Sequence, residues 1–229
     1  MSNLSIVSTA DGSKTVFNAE VGENYHSKHG ALQESQHVFL NAGLRYFLAG
    51  TDSAEVSVLE VGLGTGLNFL LSADFCTAKE IKLQYTGIEA YPLSPDMLAE
   101  TGYDSYVSDS MWQAFLKEYN VSLNRSVQLN QNVELFTAHI MLMDFNSPQQ
   151  YDVIYFDAFA AIHQPEMWSE AAIQHTVQFL KPGGVFVTDA ITGNLKRQLK
   201  ALGLKVEKAL GAPGKREMLR ATKLIEANQ

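Results

Sequence analysis

Three glycines alternate in LEVGLGTGLNFL, Gly62, Gly64 and Gly66, with the acid Glu60 shortly before them. The β-branched run VSVLEVG (56–62) leads into them and an apolar helical stretch follows, so they fall on a strand-to-helix turn. Glycine lets the backbone turn tightly and approach a ligand, while the first amides of the helix point into the crevice. A dinucleotide fingerprint would need glycine at position 67, where this chain has Leu67. Glu89 ends a second run, LQYTGIEA (83–90), at the carboxyl edge of the sheet, where open α/β folds bind their ligands. A carboxylate there can accept both ribose hydroxyl protons, a geometry shared by nucleoside cofactors. His26, His29 and His37 fit no compact zinc spacing and Cys76 is the single cysteine, so neither a metal nor an intramolecular disulfide is expected.

These residues need a scaffold, and the hydrophobic pattern supplies one. VSVLEVG, LQYTGIEA, VELFTAH (133–139), YDVIYFDAF (151–159) and GGVFVTDA (183–190) read as five strands separated by enough chain for helices. The pattern predicts an α/β fold, Rossmann-like, with a mostly parallel sheet and helices on both faces. Strands covered on both sides are continuously apolar, as DVIYF and VFV are. Residues 1–50 read as an N-terminal extension of polar strands and one helix, packed on a domain spanning 51–229. The stretch from Tyr91 to Asn132 is longer than a crossover needs and predicts a helical insertion after strand two, clearest at MWQAFLKEY (111–119). The end reads as an amphipathic helix stopped at Gly203, a strand, a turn and a returning strand.

Composition narrows the function classes. With 46% apolar and 18% charged residues in 229, a sizeable core forms and wholesale disorder is excluded. The net charge of -8 argues against whole-surface binding of nucleic acid. It divides unevenly: residues 181–229 hold ten Lys/Arg against four Asp/Glu, a local +6, and residues 1–180 carry -14. A basic end on an acidic body can orient an anionic partner, and it can also be a solvated helix face. No run approaches the ~18 apolar residues of a membrane span, and the first residues have neither a basic nor an apolar leader region. A cytoplasmic protein with no membrane partner is expected.

The G-x-G-x-G loop preceded by Glu60 resembles the first motif of class I S-adenosylmethionine (SAM) methyltransferases, whose loop faces the amino-acid part of the cofactor. Three further segments, GENYHSKHGALQESQHVFL (22–40), YFDAFAAIHQPEMW (155–168) and GKREMLRA (214–221), sharpen this. With the loop they resemble the methyltransferase family, of MnmC and stand-alone MnmD type, that completes 5-methylaminomethyl-uridine at the tRNA wobble position. The resemblance runs from about Tyr25 to Ala221. It implies SAM as cofactor and tRNA as substrate, with no flavin. It places Glu60, Gly62, Gly64 and Gly66 at the cofactor loop, Glu89 at the ribose and Asp157 beside methyl transfer. His139 stands at the end of strand three, where class I enzymes often place an aspartate that receives the adenine amino group; Asp144 is nearby. Lys215 and Arg216 match the family's C-terminal Lys-Arg-Glu-Met run, and Tyr25, Phe159 and Trp168 are candidates to hold a splayed uridine. The chain departs from the family pattern at Ala161, where proline is usual, at His139, and at Asp189, in a strand end more often uncharged.

Methyl transfer to an amine requires its neutral form, because only that form has the attacking lone pair. Moving a proton from an ammonium of pKa ~10 to an ordinary carboxylate of pKa ~4 is uphill by about 8 kcal/mol. Asp157 is therefore expected to orient the nitrogen and offset its growing positive charge, while desolvation lowers the amine pKa. Three other readings remain open on sequence: a SAM methyltransferase for another small amine or a protein, an aminopropyltransferase, and a non-catalytic binding module with a decayed site. The DAFA run lacks the second aspartate typical of aminopropyltransferases.

Overall fold

The computed structural model describes residues 3–226. A small antiparallel sheet comes first, formed by β1 (Leu4–Ser8), β2 (Lys14–Asn18) and β3 (Glu23–Asn24). A helical rod follows: α1 (Ala31–Glu34), a π-helical run Ser35–Arg45 and α2 (Tyr46–Ala49). Its start is capped from a distance by the β1–β2 turn. The amides of Ala31, Leu32 and Gln33 donate to Thr9 Oγ1, Ser13 Oγ and Asp11 Oδ2 at 3.2, 3.0 and 3.0 Å. Three orphan donors of a helix terminus are thereby satisfied without a local cap.

The central sheet is then laid down by β4 (Glu55–Val61), α3 (Leu67–Ala78), β5 (Lys82–Ile88), α4 (Pro95–Ala99), α5 (Asp109–Glu118), β6 (Val127–Gln128), β7 (Val133–Ala138), β8 (Tyr151–Phe156), α6 (Glu170–Val177), β9 (Leu180–Thr188), α7 (Gly193–Ala201), β10 (Leu204–Leu210) and β11 (Glu217–Lys223). Eight strands lie in the order β10-β11-β9-β8-β4-β5-β7-β6. The core pairs β9–β8, β8–β4, β4–β5 and β5–β7 are parallel, and the two edges are antiparallel. The predicted insertion is present as α4, a 3₁₀ turn and α5. β9 starts three residues before the expected GGVFVTDA, at Leu180, because LKPGG also pairs with β8 through an irregular register.

Side chains alternate between two cores, one on each face of the sheet. Val58, Val153 and Tyr155 face the rod, α3 and α5, whereas Leu59, Ile154 and Phe156 face α6 and α7. The rod presses so closely on the sheet that a Cβ at Gly43 would lie 2.9 Å from Val187 and 3.0 Å from Tyr155. β4 has β5 on one side and β8 on the other, so the strand order reverses there. A crevice opens beyond the carboxyl ends of strands at such a switch point.

Phe115 of α5 locks the insertion onto α3. It is fully buried among Phe69, Trp112 and Tyr119, and its ring lies 2.6 Å from where a Cβ on Gly66 would stand. Phe115→Ala is expected to lower unfolding free energy by about 3–5 kcal/mol, read from urea denaturation.

Candidate active site

The crevice is built by three backbone turns. Asp157 N donates to Val61 O at 2.9 Å, and a Cβ on Gly62, where φ is +87°, would fall 2.4 Å from Asp157 O. Only glycine lets the ends of β4 and β8 approach so closely. Gly62 N and Leu63 N both donate to Ile88 O, at 3.0 and 3.2 Å, tying the loop to β5. α3 starts from Gly66 in the left-handed region with no side-chain cap, unlike α4, α5, α6 and α7, which begin on Ser or Thr caps.

Glu89, just past β5, accepts Gly64 N at 2.8 Å on Oε2 and Tyr91 N at 2.9 Å on Oε1. Each oxygen keeps further acceptor capacity, which suits a pair of vicinal hydroxyls. Burial pushes its carboxyl up, opposed by the two amides and by nearby His139. Asn68 in the first turn of α3 donates through Nδ2 to Glu60 Oε1 and to Asp157 Oδ2, both at 2.8 Å. Glu60 is fully buried beneath the loop, also receives Tyr85 OH at 2.6 Å, and is pushed up to about 8 by burial. Burial likewise holds Asp157 well above the usual carboxylate range, helped by Glu34 and Glu60 and opposed by Asn68 and Lys215.

Two cavities meet here. One, of about 580 Å³, is lined by Gly62, Gly64, Glu89, Tyr91, Ile140 and Met141 and roofed by residues of the small sheet. The other, of about 440 Å³, is lined by Glu34, Trp168, Asp189 and Lys215. Tyr25, His26, Asp157, Ala158 and Phe159 line both. Tyr25 and Phe159 meet edge to face at 5.2 Å and 87°. Trp168 Nε1 donates to Phe159 O at 2.8 Å and its ring packs on Phe156 at 5.0 Å, so it holds the 157–168 loop in place. Ala160 N donates to Glu23 Oε2 at 3.1 Å, fastening that loop to β3.

The structure thus gathers Gly62, Gly64, Glu89, Tyr25, Asp157, Phe159, Trp168 and Lys215 around the two cavities. Glu60 and Gly66 lie beneath the loop and line neither. His139 is exposed and outside both linings, because β7 ends at Ala138 and the His139 amide is held by Asn124 Oδ1 at 2.9 Å; Ile140 and Met141 take the wall instead. Asp144 is exposed as well. Lys215 and Arg216 are both exposed residues, but Lys215 forms an ion pair with Asp189 and lines the second cavity, whereas Arg216 lines neither. His26 is buried against Thr15 Oγ1 at 2.7 Å and pushed down to about 4 by burial; His37 Nε2 lies 2.6 Å from Leu210 O. Among the described residues no group of three or more His, Cys, Asp or Glu is placed to hold a metal ion. Asn68 and Glu34 were not singled out by sequence; the only local sign of Asn68 is a polar residue in an otherwise apolar helix start.

A doubly covered parallel sheet with this loop, ribose-suited carboxylate and cavity is the architecture of a SAM methyltransferase. Residues 106–224 match the family model of S-adenosyl-L-methionine-dependent methyltransferases, and the chain belongs to that family. Its cofactor is S-adenosyl-L-methionine. Similar curated proteins include the tRNA 5-methylaminomethyl-2-thiouridine biosynthesis bifunctional proteins MnmC of Methylobacillus flagellatus, 28% identical over 222 residues (89% of this chain, 33% of that one), and of Chromobacterium violaceum, 30% identical over 214 residues (87% and 32%). The chain spans about a third of the length of these relatives. Among solved structures, MNMC2 from Aquifex aeolicus is similar in fold, with a TM-score of 0.76 and 20% identity over 98% of this chain and 71% of that one.

Two outcomes follow from the geometry. Gly64 has φ +52° and its missing Cβ would lie 3.0 Å from the Tyr25 ring, so Gly64→Val is expected to abolish SAM binding in calorimetry. The folded chain keeps the Glu60 proton up to about pH 8, whereas an unperturbed glutamate releases it near 4.5. The folded state therefore binds more protons in that window, and this residue's contribution makes stability fall as pH rises through it. Glu60→Gln is expected to make the decline of Tm between about pH 5 and 8 shallower; an unchanged decline places the proton elsewhere.

Proposed function

We propose that this enzyme methylates the free amine of the 5-aminomethyl group on wobble uridine, or 2-thiouridine, of tRNA. The observation that carries the reading is the shared wall: Asp157 faces the cavity beside the glycine loop and also the aromatic, carboxylate-lined cavity next to it. A methyl donor on one side and an amine on the other meet at this residue. The tRNA 5-methylaminomethyl-2-thiouridine biosynthesis named for the MnmC relatives supports the choice of tRNA and of an aminomethyl nitrogen.

In this reading Gly62, Gly64 and Glu89 hold the cofactor, with Glu89 on its ribose, and Glu60 and Gly66 shape the loop from beneath. S-adenosylmethionine bound there supplies a methyl group on a positively charged sulfur. Tyr25 and Phe159 flank the base and Trp168 fixes Phe159. Asp157 accepts a hydrogen bond from the amine and receives its proton. Burial has raised the proton affinity of this carboxyl, so the transfer is less uphill than for an ordinary aspartate. Residues 51–229 then act as the methyltransferase domain, with 1–50 an extension that roofs it. tRNA is met through Arg216, Lys196 and Arg197 on the basic C-terminal part, and the reaction is cytoplasmic. Among the described residues no helix is long and apolar enough to cross a membrane.

Incubating labelled SAM with tRNA lacking the final methyl group, followed by nucleoside mass spectrometry, tests the assignment: 5-methylaminomethyl-(2-thio)uridine is the expected product. Asp157→Ala is expected to reduce turnover by about 100-fold or more while SAM affinity stays within a few fold, and Asp157→Asn, which cannot receive the proton, to lose a comparable factor. Equal turnover of wild type and Asp157→Ala would remove the residue from the reaction.

A further inference from the structure

The turn between β10 and β11 carries two neighbouring cations to different places. Lys215 N donates to Ala212 O at 2.9 Å and Gly211 N to Arg216 O at 3.3 Å, closing a tight loop. Gly214, with φ +90°, sits against the His29 ring, where a Cβ would lie 2.3 Å from a ring carbon. The loop is thereby seated beside the segment leading into α1, and Lys215 reaches Asp189 just past β9. The other oxygen of that carboxyl, Asp189 Oδ1, is buried without a hydrogen-bond partner. Such a group is costly to keep charged unless a cation stays beside it. Lys215 is that cation, and it lines the same cavity as Asp157 and Glu34.

We infer that Lys215, anchored by Asp189, is a positioning residue of the methyl-transfer site, whose ammonium stands over the cavity shared by Asp157 and Glu34 and fixes how those carboxyl groups are charged when the amine arrives. This rests on the reading that Asp157 receives the amine proton. Asp157 is faced by Glu34 from α1, Glu60 from β4, Asn68 from α3 and Tyr85 from β5, and the cavity wall also holds Glu23, His26, Lys28 and His29. Lys215 is the cation that opposes the upward push on both Asp157 and Glu34. Arg216, exposed beside it, is left for phosphate contact.

The pH profile of kcat separates the two roles. Lys215→Met removes the opposing charge, so the acid limb of the profile is expected to move about one unit to higher pH. Asp189→Asn frees Lys215 toward Asp157 and is expected to move the limb to lower pH; the double variant follows Lys215→Met, and Lys215→Arg stays near wild type. A merely structural role does not produce shifts of opposite sign. The dependence of KM for tRNA on salt is expected to flatten by about one contact in Arg216→Ala and to stay unchanged in Lys215→Met. Should Lys215→Met fail to fold, Asp189→Asn carries the comparison. Limbs that move in the same direction, or a flattened salt slope with an unmoved limb in Lys215→Met, overturn the inference. Carboxyl carbon NMR of Asp157, assigned by its loss in Asp157→Asn, reads the same opposite shifts without any turnover. If wild type does not methylate tRNA, the functional reading fails and this titration still decides the role of Lys215.

Discussion

One side-chain amide holds the site together. Asn68 Nδ2 reaches Glu60 Oε1 and Asp157 Oδ2, each at 2.8 Å, from the first turn of α3. Its partners belong to β4 and to the residue just past β8, so a single group sets the spacing of two strand ends and the helix that follows the loop. Two ionised carboxylates across one amide would repel strongly in a buried place. Glu60 is pushed up to about 8 and so remains neutral near pH 7, which makes the arrangement tolerable. The loop geometry and the placement of Asp157 both depend on this contact.

Around that centre the N-terminal part supplies a wall the sheet lacks. Tyr103 OH donates to Lys14 O at 2.9 Å and lies 3.2 Å from Thr65 Oγ1, tying β2 to the glycine loop. The β1–β2 turn caps the rod that packs on Tyr155, while β3 leads directly to Tyr25. Helix capping, sheet packing and cavity closure are therefore parts of one mechanical unit.

The central strands were legible because burial on both faces leaves continuous apolar runs in VSVLEV and YDVIYF, a signal that survives without any partner. The glycine turn was legible for a similar local reason. Asn68 and Asp157 are 89 positions apart, and no periodicity reports a hydrogen bond over that distance. Asp189 had no account on sequence alone, since its reason is Lys215, which arrives only after another helix and strand. The π-helical run was hidden because an apolar face marks a helix without distinguishing its hydrogen-bond step. His139 follows the end of β7, as the sequence suggests, and the two residues after it, Ile140 and Met141, line the cavity.

The partition between the cavities also divides the freedom to diverge. Glu34, Asp189 and Lys215 line one chamber, whereas Gly64, Tyr91 and Met141 line the other. On the proposed reading, a descendant that alters the first group changes which nucleophile is accepted and leaves the walls around the methyl donor as they are. Tyr25, Asp157 and Phe159 face both chambers, so a change there reshapes both at once. New substrate ranges on this scaffold are accordingly most accessible through the chamber lined by Glu34, Asp189 and Lys215, with the residues of the shared wall as the slowest to drift.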